Sequence, residues 1–220
     1  MSIKKRFSES DLLRIKNAVK EAEQKISGEI VPVIVEKSGE YSVANYKGGL
    51  LGAAIAFMSM IVMDRYLIEN AGETLYYDPL FIFLVVVLGG LLGATITRFI
   101  PEVARKLVTQ QSLDAATRQR AENAFLAEEV FNTRQRTGIM IFISFFEREV
   151  MVIADKGISK VVEQKEWDRI VQELVRNIRM GKLIDGLEGA IKRCGEILLE
   201  KGFTITADDV NELGDDLRID

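Results

Sequence analysis

The chain of 220 residues contains no histidine and a single cysteine, Cys194. Serine and cysteine catalytic triads need an imidazole, because it is the side chain that exchanges a proton near neutral pH, so both enzyme classes are excluded. A zinc site draws on several cysteines and histidines, and a disulfide within the chain needs two cysteines. We therefore expect neither zinc nor haem, and any chemistry must use carboxylates, hydroxyls, backbone groups or basic side chains.

Charge is absent from two long apolar stretches, residues 48–63 and 80–97. At 1.5 Å per residue they would form helices about 24 and 27 Å long, close to the roughly 30 Å hydrocarbon core of a bilayer. A pair of buried helices in a soluble protein is the alternative. The stretches predict a transmembrane hairpin, inserted over residues 41–106.

The charges around this hairpin predict its orientation. Its connection, residues 64–79, holds four acidic residues against Arg65, whereas Lys47 and Arg105 are among the basic residues on the outer flanks. Basic flanks stay on the cytoplasmic side of a membrane, so both termini are expected in the cytoplasm. The first residues are charged and lack an apolar run, so no signal peptide is predicted.

The hairpin also contains an internal repeat. Gly-Gly-Leu-Leu-Gly-Ala at residues 48–53 recurs at residues 89–94, and each copy holds a Gly-x-x-x-Gly pair. Small residues at this spacing let helix backbones approach closely. We interpret the four glycines as the surface through which the two spans pack on each other, with a homo-oligomer contact as the alternative; they are Gly48, Gly52, Gly89 and Gly93.

The remaining sequence predicts one α/β domain in two pieces, residues 1–40 and 107–203. Its strands are expected at residues 30–35, where Pro32 indicates an edge or a lost ladder bond, and at 138–146 and 150–154. A crossover helix joins the first two strands, which should be parallel, and the third should return antiparallel. The result is a small mixed sheet sandwiched between helices. The predicted helices begin at the Ser8 cap and then cover residues 113–131, 164–179 and 182–201, the last with Cys194 on its apolar stripe.

Residues 204–220 form an acidic tail, with six acidic residues against Arg218. This composition is typical of a solvated, disordered end. Binding of a partner is the alternative interpretation.

Two acids are candidate metal ligands. Glu29 at the start of the first strand and Asp155 at the end of the third should lie at the same end of the sheet, where carboxylates suit Ca²⁺ or Mg²⁺. A solvated acid is the alternative for Glu29, and a helix cap ahead of Gly157 is the alternative for Asp155. The sequence contains neither an EF-hand loop nor a phosphate-binding loop, so no nucleotide is expected. Ser144 has no base beside it in the sequence and is not predicted to be a nucleophile.

Basic residues are numerous, but most are interleaved with acids. The four arginines around the crossover helix therefore indicate a solvated face and no nucleic-acid site; they are Arg118, Arg120, Arg134 and Arg136. Lys4, Lys5 and Arg6 are expected to contact anionic lipids.

Several short motifs together resemble the TPM domain family. They are Ser27-Gly28-Glu29-Ile30-Val31-Pro32, Ala121 with Phe125, Thr133, Thr137 through Ser144, Glu147-Arg148, Ala154-Asp155-Lys156-Gly157-Ile158, Trp167, Gly181 and Phe203. The resemblance covers roughly residues 8–203 and implies an α/β/α sandwich. It also implies possible functions, since many members are membrane-tethered, some are acid phosphatases and some bind calcium. Bacterial relatives often accompany LemA-type membrane proteins.

From these features we expect a binding or assembly module that is anchored in the inner membrane of a bacterium and faces the cytoplasm. Its expected ligands are a partner membrane protein, LemA-type by resemblance, and a divalent cation, Ca²⁺ or Mg²⁺, with a homo-oligomer as a further option. The alternative is a metal-dependent acid phosphatase that uses Glu29 and Asp155 as metal ligands.

Overall fold

The computed structural model describes residues 3–66, 78–205 and 211–220. The chain folds into two units: an α/β unit made of Met1–Ser38 with Asp114–Asp220, and a helical unit, Gly39–Leu113. The sequence placed the helical insertion at 41–106, whereas the structure extends it to Leu113.

The first part of the α/β unit contains a 3-10 helix (Ile3–Arg6), helix α1 (Glu9–Glu23) and strand β1 (Glu29–Val35). α1 begins where the sequence predicted, because the Ser8 side chain accepts a hydrogen bond from the Asp11 N–H and the Asp11 carboxylate accepts one from the Ser8 N–H. This reciprocal pair satisfies two donors that a helix start leaves without partners.

The helical unit contains α2 (Ser42–Tyr66), α3 (Pro79–Phe99) and α4 (Pro101–Leu107). α2 and α3 pack on each other. Both helices are long and apolar enough to cross a membrane. Most of the predicted acidic connection falls on residues 67–77, which lie outside the described residues. Its last acid, Asp78, caps α3 by accepting hydrogen bonds from the N–H groups of Leu80 and Phe81.

After the helical unit the chain continues with helix α5 and completes the sheet. The elements are α5 (Gln110–Ala127), β2 (Gly138–Ser144), β3 (Glu149–Ala154), α6 (Lys156–Ser159), α7 (Gln164–Arg179), α8 (Leu183–Glu200) and β4 (Arg218–Ile219). The strand order is β3-β2-β1-β4. β1 runs parallel to β2, from Glu29 opposite Gly138 to Val35 opposite Ser144, and β3 returns antiparallel. The predicted mixed sheet is confirmed.

Helices cover both faces of this sheet, as the apolar strands require. On one face, α1, α7 and α8 pack on the isoleucines of β1 and β2, and Cys194 of α8 is fully buried in this layer. Burial raises the pKa of the Cys194 thiol to about 12. On the other face, α5 packs on the valines of β1 and on Met140 and Phe142 of β2. The α/β/α sandwich and the core position of Cys194 are therefore as predicted.

The turn between β2 and β3 contains neither glycine nor asparagine, the residues that tight turns favour. Instead Arg148 adopts a positive φ of 58° and its N–H donates to the Phe145 carbonyl. A left-handed conformation at a non-glycine residue costs about 1 kcal/mol or more, which the pairing of β2 with β3 must offset.

The prediction of a solvated, disordered tail is wrong for residues 211–220. β4 pairs in parallel with Val33 and Ile34 of β1, and Leu217 and Ile219 pack against the core layer of α1 and α8. The composition was misleading because apolar residues are interspersed among the acids. The apolar side chains pack against the core, while several acidic side chains form ion pairs with basic residues. Residues 206–210 of the predicted tail lie outside the described residues.

Candidate functional site

Asp155 lies directly after β3, where it caps the short helix α6. Its carboxylate accepts hydrogen bonds from the Lys156 N–H at 2.7 Å and from the Arg136 guanidinium at 2.6 and 3.1 Å. Asp155 is 5% exposed, whereas the Arg136 side chain is 54% exposed and lies over the Phe131 ring. The ion pair raises the pKa of Arg136. Asp155 is thus placed as a helix cap with a cationic partner.

Local backbone geometry fixes this arrangement. Arg136 has a positive φ of 58°, and its carbonyl accepts a hydrogen bond from the Gly157 N–H. A Cβ at Gly157 would lie 2.5 Å from that carbonyl oxygen and 2.7 Å from the Gln135 carbonyl oxygen. Only glycine permits this close approach of the loop before β2 to the start of α6.

Glu29 begins β1 and is 7% exposed, so the alternative of a solvated acid is wrong for this residue. Its two carboxylate oxygens accept hydrogen bonds from consecutive backbone N–H groups of the acidic segment, those of Glu212 at 3.0 Å and Leu213 at 3.3 Å. Burial raises the pKa of Glu29, although these two hydrogen bonds act in the opposite direction. The carboxylate therefore holds the backbone of residues 211–213 against the start of β1.

The two predicted metal ligands lie at the same end of the strands but are separated by one strand. Glu29 is opposite Gly138 of β2, and the Gly138 carbonyl in turn accepts the N–H of Asp155. Two strand spacings correspond to about 10 Å between their backbones. Among residues 3–66, 78–205 and 211–220, no three acids or cysteines are grouped so that they could hold a metal ion. Metal binding by the pair remains a prediction.

Glu23 at the end of α1 was not singled out from the sequence, since it reads there as a solvated helix residue. Its Oε1 accepts a hydrogen bond from the Ile30 N–H at 2.9 Å, and its Oε2 is buried with no hydrogen-bond partner among the described residues. Burial raises the pKa of Glu23 to about 8, and the neighbouring carboxylates of Glu29 and Asp215 act in the same direction. This end of β1 therefore holds a carboxyl group that is protonated at neutral pH.

The opposite end of the sheet contains a second polar group that sequence reasoning missed. The Ser144 hydroxyl donates to the Glu147 carboxylate and accepts from the Ser38 hydroxyl at 2.8 Å, while the Ser38 N–H donates to Glu147 at 3.0 Å. A carboxylate therefore does stand beside Ser144. However, Ser144 and Glu147 are 1% and 0% exposed. This network joins the end of β1 to the β2–β3 turn, and its hydroxyl is not accessible to a substrate.

Glu149 lies beside that network, opposite Ser144 in the β2–β3 ladder. Burial raises the pKa of Glu149 to about 7, and a hydrogen bond with the Asp114 carboxyl group acts in the same direction. The hydroxyl of Thr117, one turn along α5 from Asp114, also bonds to Glu149 and acts in the opposite direction. Two carboxyl groups in contact disfavour each other's ionisation. No sequence motif marks this pair, because its members come from α5 and β3.

In the helical unit, the four predicted glycines lie where α2 and α3 are closest. A Cβ at Gly52 would lie 2.2 Å from the Gly89 carbonyl oxygen, and a Cβ at Gly93 would lie 2.2 Å from the Gly48 carbonyl oxygen. Backbone therefore contacts backbone between the helices, so in this structure the glycines face each other within one chain.

Comparisons with known proteins agree with this architecture. Residues 103–197 match the family model of the TPM domain. The NMR structure of BA42 protein from the psychrophilic bacterium Bizionia argentinensis is similar in fold, with a TM-score of 0.60 at 17% sequence identity, over 100% of this chain and 99% of that chain. No curated protein matches the sequence.

Proposed function

Because residues 103–197 carry a TPM domain, we propose that the chain is a binding module anchored in a membrane. The observation that carries this proposal is the pair of apolar helices inserted between β1 and α5. In the most apolar part of either helix, only 6% is buried within the structure. Apolar surface left in water costs roughly 25 cal/mol per Å², and a bilayer removes that cost.

The α/β unit is proposed to face the cytoplasm at the inner membrane of a bacterium. Basic residues lie in the parts of α2 and α3 that are nearest to their connections with the α/β unit, as Lys47 and Arg98 illustrate, and this asymmetry favours a cytoplasmic location. Lys4 and Lys5 are exposed in the 3-10 helix at the start of the chain. Each such residue near an anionic surface contributes about 1 kcal/mol of attraction.

The proposed ligand is a membrane protein of the LemA type, with Ca²⁺ or Mg²⁺ as a second ligand held by Glu29 and Asp155. The Ser144 hydroxyl lies beside the Glu147 carboxylate but is buried, so it is not available as a nucleophile, which supports binding over catalysis at this position. A cation would have to replace the hydrogen bonds that the two acids now accept, and water and carbonyl groups would supply the remaining oxygens of a calcium site.

Anchoring and partner binding are tested on the full chain in native membranes. We expect the protein to stay in the membrane fraction after high-salt washing. A tag at residue 70 should be cleaved by external protease in intact cells. Cross-linking should capture a membrane protein. Recovery in the soluble fraction, or a protected tag, would contradict the anchor or its orientation. Calorimetric titration with Ca²⁺ and Mg²⁺ tests the cation, and flat titrations would remove it.

The alternative function is metal-dependent phosphomonoester hydrolysis. The name of the matching family model includes phosphatase, and the Glu149–Asp114 carboxyl pair lies near the carboxyl ends of the two parallel strands, where α/β proteins often bind ligands. The test is turnover of a phosphomonoester by the detergent-solubilised full chain with Ca²⁺, Mg²⁺ or Mn²⁺. Turnover that Asp155→Asn and Glu29→Gln abolish, or that Glu149→Gln abolishes, would replace the binding proposal with the enzymatic one.

A further inference from the structure

The lateral edge of β1 is paired with another strand over a short stretch only, although every residue of β1 is buried. β4 pairs with two of the seven β1 residues, and Asp220 extends this contact by donating to the Ile34 carbonyl and accepting from the Glu36 N–H. Pro32 has no N–H, so a neighbouring strand can add few bonds upstream of Val33. The edge therefore accommodates a short strand. The residues that precede this strand need not form ladder hydrogen bonds with β1.

That preceding chain is held through its backbone. The Glu29 carboxylate accepts the N–H groups of two consecutive residues, Glu212 and Leu213. Such contacts do not depend on the side chains of the bound segment, so other sequences in the same conformation would make them equally well.

Ion pairs of both directions surround this edge, since the segment's own Arg218 pairs with Glu128, just after α5, at 3.0 Å while its acids meet basic side chains. Basic side chains from three separate elements meet acids of the segment, namely Lys16 of α1 with Asp216 at 2.9 Å, Arg120 of α5 with Asp220, and Arg134 before β2 with Glu212 at 3.6 Å. In each pair at least one side chain is more than half exposed. Exposed ion pairs contribute about 0–1 kcal/mol each, so the pairs select an acidic segment without holding it tightly.

Apolar contacts complete the attachment, and they too are partial. Leu217 and Ile219 pack against the layer of α1 and α8, and Leu213 packs against the layer of α5, but all three remain half-buried. The segment thus combines an extended backbone, two or three apolar anchors and acidic neighbours. These are the features of peptides that bind by adding a strand to a sheet edge.

We infer that the lateral edge of β1, with Lys16, Arg120 and Glu29 around it, is a docking site for an extended acidic segment of a partner protein, and that residues 211–220 occupy this site as a competitor within the chain. The inference rests on the proposed binding function and specifies where the partner binds. A partner segment displaces residues 211–220 and takes over their strand pairing, hydrogen bonds and ion pairs.

The test uses the full chain in detergent and a fluorescently labelled peptide, NELGDDLRID, which has the sequence of residues 211–220. Ile219→Asp weakens the internal segment, so we expect this variant to bind the peptide at least tenfold more tightly than the parent does. The matched control is Ile205→Asp, the same change at an exposed residue outside the segment. This variant should bind the peptide as weakly as the parent does. Adding Lys16→Glu and Arg120→Glu to Ile219→Asp should reverse the gain.

Equal peptide binding by the parent and a folded Ile219→Asp variant, or a gain that survives the two charge reversals, would overturn the inference. If Ile219→Asp unfolds the chain, amide hydrogen exchange of the parent decides the question instead. The N–H groups of Glu36 and Asp220 should exchange at least tenfold faster than those within the β1–β2 ladder. Exchange of both sets at one common rate would show that the segment does not detach separately.

A dimeric parent that becomes monomeric with Ile219→Asp would also overturn the assignment, because the occupant would then be a second copy of the chain. Failure of this inference can be distinguished from failure of the proposed function. The parent and the Lys16→Glu, Arg120→Glu variant could cross-link to the partner equally well. That result would support the binding function and would show that the partner does not bind at this edge.

Discussion

The helical unit and the α/β unit are both rich in apolar residues, but they use them in opposite ways. In the α/β unit the large side chains are buried between the sheet and its helices, as Phe142 and Ile139 illustrate with 0% exposure. In the helical unit, Phe83 and Leu91 are 61% and 60% exposed, and glycine backbones form the contact between α2 and α3. Buried large side chains therefore stabilise the α/β unit, whereas the contact between α2 and α3 in the helical unit depends on glycines that have no side chain.

The largest expected effect comes from removing volume in the α/β unit. Phe142→Ala should lower the unfolding free energy of this unit by about 3–5 kcal/mol, because it leaves a cavity between β2 and α5. The matched change Phe83→Ala in α3 should cost less than about 1 kcal/mol, because that side chain is mostly exposed. Thermal unfolding followed by circular dichroism in micelles measures both. Similar losses for the two variants would contradict the contrast between the units.

Adding volume at the glycine contact of the helical unit should have the next largest effect. Gly52→Ala should cost about 2–3 kcal/mol, because its Cβ would lie 2.2 Å from the Gly89 carbonyl oxygen and force the helices apart. At Gly49 the nearest atom, the Gly90 carbonyl oxygen, is 3.3 Å away and needs to shift by only a few tenths of an ångström, so Gly49→Ala should cost much less than Gly52→Ala. Thermal unfolding of the helical unit, or cross-linking between α2 and α3, compares the two. Equal stability would show that the glycines are not needed for close packing.

Asp155→Ala should cost about 1–2 kcal/mol, through loss of the α6 cap and of the Arg136 contact. The exposed guanidinium of Arg136 can turn to water, which limits the penalty. Chemical denaturation of the α/β unit is the measurement, with Asp168→Ala on the exposed face of α7 as the control. A loss no larger than that of the control would mean that the cap and ion pair contribute nothing.

The stability of the α/β unit should also depend on pH. Since burial raises the pKa of Glu23 to about 8 from its ordinary value of 4.5, the folded state holds a proton between these pH values that the unfolded state has lost. Stability should therefore fall as the pH rises from about 5 to 8, and Glu149 should add to this fall up to about pH 7. Unfolding at pH 5 and pH 8 measures the difference.

Glu23→Gln provides the control for this titration. Glutamine can still accept the Ile30 N–H but cannot ionise, so the variant should match the parent at pH 5 and exceed its stability at pH 8. An unchanged pH dependence would show that Glu23 does not titrate in this range.

Local patterns were sufficient to predict most of the elements. The Ser8–Asp11 box fixes the start of α1, the apolar runs fix β2 and β3, and the crossover helix makes β1 and β2 parallel. Pro32 was also informative, because it lies on the edge strand segment that β4 does not reach. Each of these signals depends on residues close in the sequence, and for that reason the sequence could reveal it.

The candidate site was predicted only in part. Glu29 and Asp155 were expected at one end of the strands and lie there, but nothing in the sequence indicated that Arg136 would pair with Asp155 or that the backbone of residues 212 and 213 would bind Glu29. The buried Ser144–Glu147 contact was missed for the same reason, although its members are three residues apart, because a turn had to fold them together.

By itself, the sequence determined the fold class, the two helices that are long and apolar enough to cross a membrane, and the set of chemical groups available in a chain without histidine. Only the tertiary structure decided which of its many acids are buried and what each one contacts. The acidic segment makes the difference clear, because its composition indicates solvation whereas β1, α1 and α5 supply an edge, an apolar surface and basic partners. Composition describes only the residues of one segment. The pKa and role of a carboxyl group depend on neighbours that the fold brings together from distant positions in the chain.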